Sequence, residues 1–365
     1  MTTTDTPGPS TDERSLDADK LMAFVLRAVE DAGATLNTAL VVMGDRLGYY
    51  RLMADGAPTT PARLAERSAT GEPYVREWLN AQAAGGYVTY DPRAGTYTLP
   101  PEQAAAFTVE DSPAYLPGLF QLAHGALLDA PRVVEAARAG DGLGWHEHND
   151  DVHTGCERFF RPGYHAHLVE SWLPSLDGVT RKLASGARVA DVGCGHGAST
   201  VLLATAFPAS RFHGSDYHTG SIEVARRRAA EAGVQDRAIF EVAPATGFTG
   251  GPFDLVTTFD ALHDMGDPIG AARHVLEYLA DEGTWMIVEP TAGDRVEDNL
   301  HPVGRLSYGF STLLCTPNSL AQDVGLALGA QAGPARMRDV VTSAGFTRFR
   351  VAAQTPFNTV LEVRK

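Results

Sequence analysis

Three stretches of this 365-residue chain combine residue types that do chemistry with spacings that let them act together. The first is Arg188-Val189-Ala190-Asp191-Val192-Gly193-Cys194-Gly195-His196-Gly197. An apolar strand runs into an acid, then glycines at alternate positions, then a helix. Such glycines let backbone approach a ligand and accept dihedral angles that side chains resist, and the helix start presents free N–H groups. Asp191 would face a cationic amino group. The second is Phe259-Asp260-Ala261-Leu262-His263-Asp264-Met265, followed later by Ile287-Val288-Glu289, where an imidazole and carboxylates could move a proton. The third is Trp145-His146-Glu147-His148-Asn149-Asp150-Asp151-Val152-His153, which reads as a polar loop. Imidazole and carboxylate ligands suit Zn²⁺ or Fe²⁺. Alternation of His146 and His148 in a loop, with no structural-zinc spacing after them, ranks a flap over the site first, solvated surface second and metal third, so no metal site is read.

The glycine stretch also fits G-x-G-x-x-A, because Ala198 follows, so a dinucleotide ligand has to be weighed. Two features argue against it. Asp191 at the strand end would repel a pyrophosphate, and the chain closes in a way a dinucleotide fold does not. From Ala187 onward strands and helices alternate, which predicts a parallel α/β sheet. The strands read are Ala187–Val192, Arg211–Asp216, Ala238–Ala243, Phe253–Phe259 and Thr284–Glu289. Phe346–Val351 and Asn358–Val363 follow, separated only by a short turn at Gln354-Thr355-Pro356, so these two must pair antiparallel. The expected domain is therefore a Rossmann-like α/β sheet of seven strands, five parallel plus an antiparallel hairpin.

Ahead of it, Leu21 to Ala28, Leu40 to Leu47, a helix opened by Thr60-Pro61, and Gly71–Ala84 with Tyr74, Trp78 and Leu79 inward read as short helices. Tyr87–Tyr90 and Thr96–Leu99 flank a turn, which completes a winged-helix outline. Residues 101–178 read as a helical linker with helices at Leu116–Leu128 and Pro131–Ala139. The resulting division is a disordered leader over 1–19, a winged-helix domain over 20–100, linker and flap over 101–178, and the α/β domain over 179–365. The leader is rich in Thr, Asp, Ser and Pro and lacks the apolar core of a signal peptide. No apolar run approaches the roughly 20 residues that span a bilayer. A cytoplasmic protein is expected. A net charge of −15 disfavours a phosphate backbone as partner. The helix Gly71–Ala84 sets Glu72 and Glu77 against the single Arg76, wrong for a DNA groove, although a winged-helix regulator stays as the minority alternative. Cys156, Cys194 and Cys315 form no disulfide framework.

In this context the sequence resembles class I S-adenosylmethionine-dependent methyltransferases from about Gly178 to Lys365. Across nearly the whole chain it resembles winged-helix small-molecule O-methyltransferases, and an actinobacterial group of methyltransferases most of all. The resemblance implies S-adenosyl-L-methionine as cofactor, held by Asp191, Gly193, Cys194, Gly195 and Gly197, with Asp216 on the ribose hydroxyls and Tyr217 along the adenine. Ala243, Phe259 and Asp260 would border the same site. The family often has an acid after the third strand of the sheet, where this chain has Ala243-Pro244-Ala245-Thr246, which points to backbone and Phe248 for the adenine. Leu262-His263-Asp264-Met265 looks like the family's Leu-His-Asp-Trp stretch, whose histidine is the general base, with Glu289 matching the carboxylate that orients it. Alternatively His263 packs locally while Asp260 and Asp264 seat the cofactor, and His146 or His148 of the flap is the rival base. The acceptor would be a small molecule, a hydroxyl of a secondary metabolite. The sulfonium could also serve non-methylating chemistry, such as ring closure or elimination. Arg158 to Tyr164 and the insertion Thr291–Gly333 would wall the acceptor pocket, or serve as interface packing. The resemblance further implies a homodimer through the winged helix.

Overall fold

The computed structural model describes residues 16–365. The leader expected over 1–19 thus lies almost wholly outside the described residues, and its last part already opens a helix. That helix, α1 (Ala18–Arg46), is capped by the Asp17 carboxylate, which accepts from the backbone of Asp19 and Lys20. Two short helices were expected here. One of 29 residues forms, because nothing between Ala28 and Leu40 breaks it and Gly33 sits in open space. After it come α2 (Tyr49–Leu52), α3 (Pro61–Ser68) and α4 (Glu72–Ala84), then the hairpin of β1 (Thr89–Asp91) and β2 (Thr96–Thr98), and α5 (Pro101–Thr108). Their core gathers Tyr49, Tyr50, Leu64, Trp78 and Leu79. Trp78 donates its ring N–H to the Leu40 carbonyl at 2.8 Å, which joins α4 to α1. Tyr74, expected inward, is 72% exposed. Val75, one position along, faces inward with Trp78 and Leu79 at helical i, i+3, i+4 spacing.

The linker holds two helices that cross at backbone contact, α6 (Pro117–Ala139) and α7 (Asp150–His167). A Cβ on Gly155 would lie 2.3 Å from the Leu122 nitrogen, and one on Gly118 would lie 2.4 Å from the Arg158 carbonyl carbon. Only glycine permits that approach. Pro131 does not split α6 as expected from its missing N–H; the helix runs through it. The polar loop is also shorter than expected. Trp145–Glu147 form a single 3₁₀ turn, Asn149 caps α7, and Asp150, Asp151 and His153 already belong to that helix.

Past α8 (Val179–Ser185) the sheet begins with β3 (Arg188–Val192), α9 (Ala198–Ala206), β4 (Arg211–Asp216), α10 (Thr219–Glu231) and β5 (Ala238–Val242). It continues with β6 (Phe253–Phe259), α11 (Pro268–Tyr278) and β7 (Leu279–Pro290). The insertion then carries α12 (Pro302–Phe310), a π-helical turn (Ser311–Cys315) and α13 (Thr316–Leu320). The chain ends with α14 (Gly333–Ala344), β8 (Arg348–Gln354) and β9 (Asn358–Arg364). The spatial order is β5-β4-β3-β6-β7-β9-β8. Pairs β5/β4, β4/β3, β3/β6 and β6/β7 are parallel, while β9 pairs antiparallel with both β7 and β8. Seven strands with a terminal antiparallel hairpin match the expectation, with β9 inserted as the one reversed strand of the sheet. Buried apolar clusters cover both of its faces. Such an arrangement leaves ligands one natural place, the crevice beyond the carboxyl ends of the strands where the order reverses.

Candidate active site

A cleft of about 530 Å³ occupies that crevice, over the ends of β3, β4 and β6. The turn after β3 is held to its neighbour by backbone, with the Gly193 and Cys194 N–H groups donating to the Ser215 carbonyl at 2.8 and 3.0 Å. Gly193 and Gly195 take φ of +74° and +50° and line the cleft with Cys194. Gly197 also has a positive φ, +72°, but does not line it. A Cβ there would meet Ala225 at 2.8 Å, so this glycine serves the packing of α9 on α10.

The two acids flanking the turn behave differently. Asp216 lines the cleft, and its two oxygens accept from the Gly195 N–H at 3.0 Å and the His218 N–H at 2.8 Å. Burial raises its carboxyl above the ordinary carboxylate value. Asp191, expected to face a ligand's amino group, points the other way. It is 1% exposed and accepts from the hydroxyls of Ser199 (2.7 Å), Thr200 (2.5 Å) and Thr257 (3.0 Å). It anchors the first turn of α9, where a carboxylate suits the helix dipole. Phe248 is a second correction. It is 1% exposed, packs edge-on against His274, and does not line the cleft. Ala243, Tyr217, Phe259 and Asp260 do.

Three distant segments close one wall. The Trp145 N–H donates to Asn318 Oδ1 at 2.9 Å and to the Tyr217 hydroxyl at 3.2 Å, and that hydroxyl donates to Asn318 at 3.1 Å. The insertion therefore lines the cleft through Asn318 and Gln322 of the α13 region, not through Arg305, Tyr308 or Phe310. Arg305 instead pairs with Asp31 of α1 at 2.9 Å. Phe160 and Tyr164 of α7 form another wall. Among the flap histidines, His146 is exposed and His148 is buried, and neither lines the cleft. His148 is consumed by the α6–α7 joint, where its Nδ1 meets Asp129 at 2.9 Å. Burial holds its imidazole below the ordinary value, although Asp129 pulls the other way. The histidine that does reach the cleft is His153, whose Nε2–H donates to the Trp145 carbonyl at 2.8 Å. Reading the segment as loop hid this, since only the helix brings His153 round.

The floor is carboxylate-rich. Asp260, with φ of +48°, accepts from Asn358 at 3.2 Å and Tyr164 at 3.4 Å, and burial lifts its carboxyl well above the usual range. His263 and Glu289 come together as expected. His263 is 4% exposed, its Nδ1–H donates to Glu289 Oε2, and Glu289 Oε1 accepts from the Leu262 N–H at 3.0 Å. Burial alone would depress the imidazole; the Glu289 charge outweighs it and holds His263 well above its ordinary value. Neither residue lines the cleft directly, whereas their neighbour Asp264 does, its carboxyl pushed up to about 7 by burial. In all, Glu157, Asp216, Asp260, Asp264, Asp267 and Asp323 line the cleft, and among the described residues no Lys or Arg does. Glu157 is matched from outside by Arg228 at 2.9 Å.

Residues 34–109 match the Rv2258c-like winged HTH domain, and residues 183–313 match a methyltransferase domain. The 27-O-demethylrifamycin SV methyltransferase of Amycolatopsis mediterranei is 32% identical over 143 residues, 39% of this chain and 44% of that protein. The chain thus spans less than half the length of this curated relative. An O-methyltransferase family protein from Burkholderia thailandensis shares the fold at a TM-score of 0.69 and 18% identity, over 96% of this chain and 99% of that one. So does human N-acetylserotonin methyltransferase, solved with S-adenosylmethionine, at 0.68 and 15%, over 97% and 99%. The chain carries an Rv2258c-like winged helix–turn–helix domain followed by a Rossmann-like methyltransferase domain.

Proposed function

We propose that this protein transfers the methyl group of S-adenosylmethionine to a hydroxyl of a small-molecule acceptor. The observation that carries the reading is the acidic lining of the cleft, six Asp and Glu side chains with no lysine or arginine among the lining residues. A pyrophosphate would be repelled there, whereas a sulfonium and an ammonium are what such a cleft attracts. Asp216, with two acceptor oxygens beyond the glycine turn, suits a ribose diol. Tyr217 and Ala243 would border the adenine, and Gly193, Cys194 and Gly195 the amino-acid end, with Phe259 and Asp260 beneath the sulfonium.

The methyl on a sulfonium is already activated, so this chain's work is to orient the acceptor in line and keep water out. Orientation of that kind contributes on the order of 7–11 kcal/mol in favourable models. His263, fixed by Glu289, is the proposed proton acceptor, adding about 10²–10⁴-fold for a hydroxyl whose own pKa is about 10. Because Glu289 favours the protonated imidazole, the base form is populated toward alkaline pH. The test is to supply labelled cofactor with phenolic and alcoholic acceptors. S-adenosylhomocysteine formed in step with methylated product supports the reading. Turnover of acceptor without it would point to sulfonium-assisted chemistry instead.

The division into a docking module (20–100), a linker and flap (101–178) and a cofactor domain (179–365) follows from this reading. Leu21, Met22, Phe24, Leu26 and Val29 are each 50% exposed or more along the first half of α1. Exposed apolar residues gathered on one helix in this way mark an interface, and a second copy of the chain is the proposed occupant. Light scattering should give a dimer for the full chain and a monomer once Phe24 and Val29 become glutamate; a monomeric wild type overturns it. A role on nucleic acid is disfavoured, since Arg76 of α4 is already paired with Glu72 and Glu77. Among the described residues no helix is long and apolar enough to cross a membrane, and a cytoplasmic location is proposed.

A further inference from the structure

Of the six acids that line the cleft, three already have partners within the protein. Glu157 pairs with Arg228 at 2.9 Å, Asp267 caps α11 by accepting from the Gly270 N–H at 2.7 Å, and Asp216 is tied to the glycine turn at 3.0 Å. Of the rest, Asp323 is exposed and Asp264 half-buried. Asp260 is the one set among aromatic rings. It follows β6 directly, with φ of +48°, a left-handed conformation that is uncommon outside glycine and gathers at functional sites. Both of its oxygens are held: Oδ1 accepts from the Asn358 amide at 3.2 Å and Oδ2 from the Tyr164 hydroxyl at 3.4 Å. The Tyr164 ring lies 5.1 Å from Phe259 and 6.4 Å from Phe160, and all three rings line the cleft with Asp260. Aromatic rings around one carboxylate make a seat for a compact cation.

We propose, resting on the cofactor reading above, that Asp260 with the rings of Phe160, Tyr164 and Phe259 distinguishes the cationic cofactor from its neutral product, holding S-adenosylmethionine and letting S-adenosylhomocysteine go. When the methyl leaves, the sulfur keeps both electrons of the broken C–S bond and becomes an uncharged thioether. An oxygen lone pair of the acceptor forms the new bond, and its proton passes to the base. Ribose, adenine and amino acid are the same before and after, so only groups around the sulfur can tell the two molecules apart. Asp260 and His263 belong to one short segment after β6, so a sulfonium over Asp260 keeps its methyl near the base. Without a ligand the Asp260 carboxyl is held well above the usual range, first by burial and then by the charges of Glu289 and Asp264, with His263 and Tyr164 pulling the other way. Tyr164 and Cys156, which face it from α7, are pushed up by burial and stay neutral. A sulfonium supplies the missing counter-charge and favours the ionised carboxyl, whose proton goes to solvent. Preference for the cation therefore grows as pH rises and fades as pH falls. Asp216 meets both molecules alike and cancels in the ratio.

The test is titration calorimetry of the full chain with S-adenosylmethionine and S-adenosylhomocysteine in turn, without acceptor, at about pH 6.5 and about pH 8.5. Wild type should bind the sulfonium form at least about tenfold more tightly at the higher pH, and less selectively at the lower. Asp260→Asn keeps the size of the side chain and a backbone conformation that asparagine accepts. It should weaken S-adenosylmethionine about tenfold or more, change S-adenosylhomocysteine less than about threefold, and level the pH response. Phe160→Leu, which removes one ring and leaves Asp260 bonded, should weaken S-adenosylmethionine alone, by about threefold or more. Equal affinity for the two molecules in the wild type overturns the proposal without any substitution. So does a folded Asp260→Asn that keeps the preference, or, where that variant does not fold, a Phe160→Leu that keeps it. Wild type that binds neither molecule removes the cofactor reading and this proposal with it; wild type that binds both equally removes the proposal alone.

Discussion

The two sides of the cleft are built by different means. On the proposed cofactor side, Gly193 to Gly195 and Asp216 follow or end consecutive strands, and their geometry is fixed by backbone contacts to Ser215 and Gly195. On the other side, the proposed acceptor side, Trp145 and Asn318 dock onto Tyr217 at the cradle's edge, through bonds between segments far apart in the chain. The first side is a rigid cradle set by local chain geometry. The second is a set of docked pieces whose alignment depends on α6, α7 and the insertion all packing correctly. One fold can thus keep its cofactor while its acceptor changes, because altering the docked pieces leaves the cradle intact.

The largest effect that would sharpen this contrast concerns His263. His263→Ala should lower turnover by about 10²–10⁴ with cofactor affinity changed less than a few-fold, measured by steady-state kinetics beside calorimetry. Comparable loss of cofactor binding would mean that the two sides are not separate. Next comes Asp191, whose carboxylate holds three buried hydroxyls on the cradle's hidden face. Asp191→Ala should cost about 1–3 kcal/mol of stability, read as a lowered denaturant midpoint. The variant that still folds should bind cofactor nearly as well as wild type. Strong loss of affinity at unchanged stability would return Asp191 to the ligand.

The smallest effect is a pH dependence of the docked side. Burial depresses the His148 imidazole, so the undocked or unfolded segment binds a proton more readily than the docked one. The stability that neutral His148 lends the α6–α7 joint is therefore present above about pH 6.5 and lost as pH falls toward its lowered value. Asp129, held below the ordinary carboxylate value, keeps its charge across that window. Hydrogen exchange over residues 145–153, corrected for intrinsic rates, should quicken on going from about pH 7.5 to 5.5, and His148→Gln should flatten the response. Exchange that is equally slow at both would remove His148 as the sensitive group.

The cradle was legible in the sequence because its determinants are local: a strand, alternate glycines, a helix start, and an acid ending the next strand. So were His263, on the turn after β6, and Glu289, near the end of β7. Asp191 was misread because a strand-end acid can turn toward a ligand or under the following helix, and Ser199 and Thr200 in the first turn of that helix decide which. Tyr74 was misplaced by a single position, about 100° on a helix, and Val75 took the inner face. The acceptor side was opaque for a different reason. Asn318 looks like any polar helix residue until the insertion folds against Tyr217. His153 was hidden by reading as loop what Asn149 caps as helix.

The central claim, that the cleft holds S-adenosylmethionine through Asp216, is tested most directly by titration calorimetry on wild type and a folded Asp216→Ala variant. Wild type should bind the cofactor at one site per chain and should not bind NAD⁺, whose pyrophosphate would enter an acidic cleft that no lysine or arginine lines among the described residues. The variant should lose about 1.5–3 kcal/mol of binding, the worth of a charged hydrogen-bond acceptor. No heat of binding in the wild type, or equal affinity in the two proteins, would contradict the account.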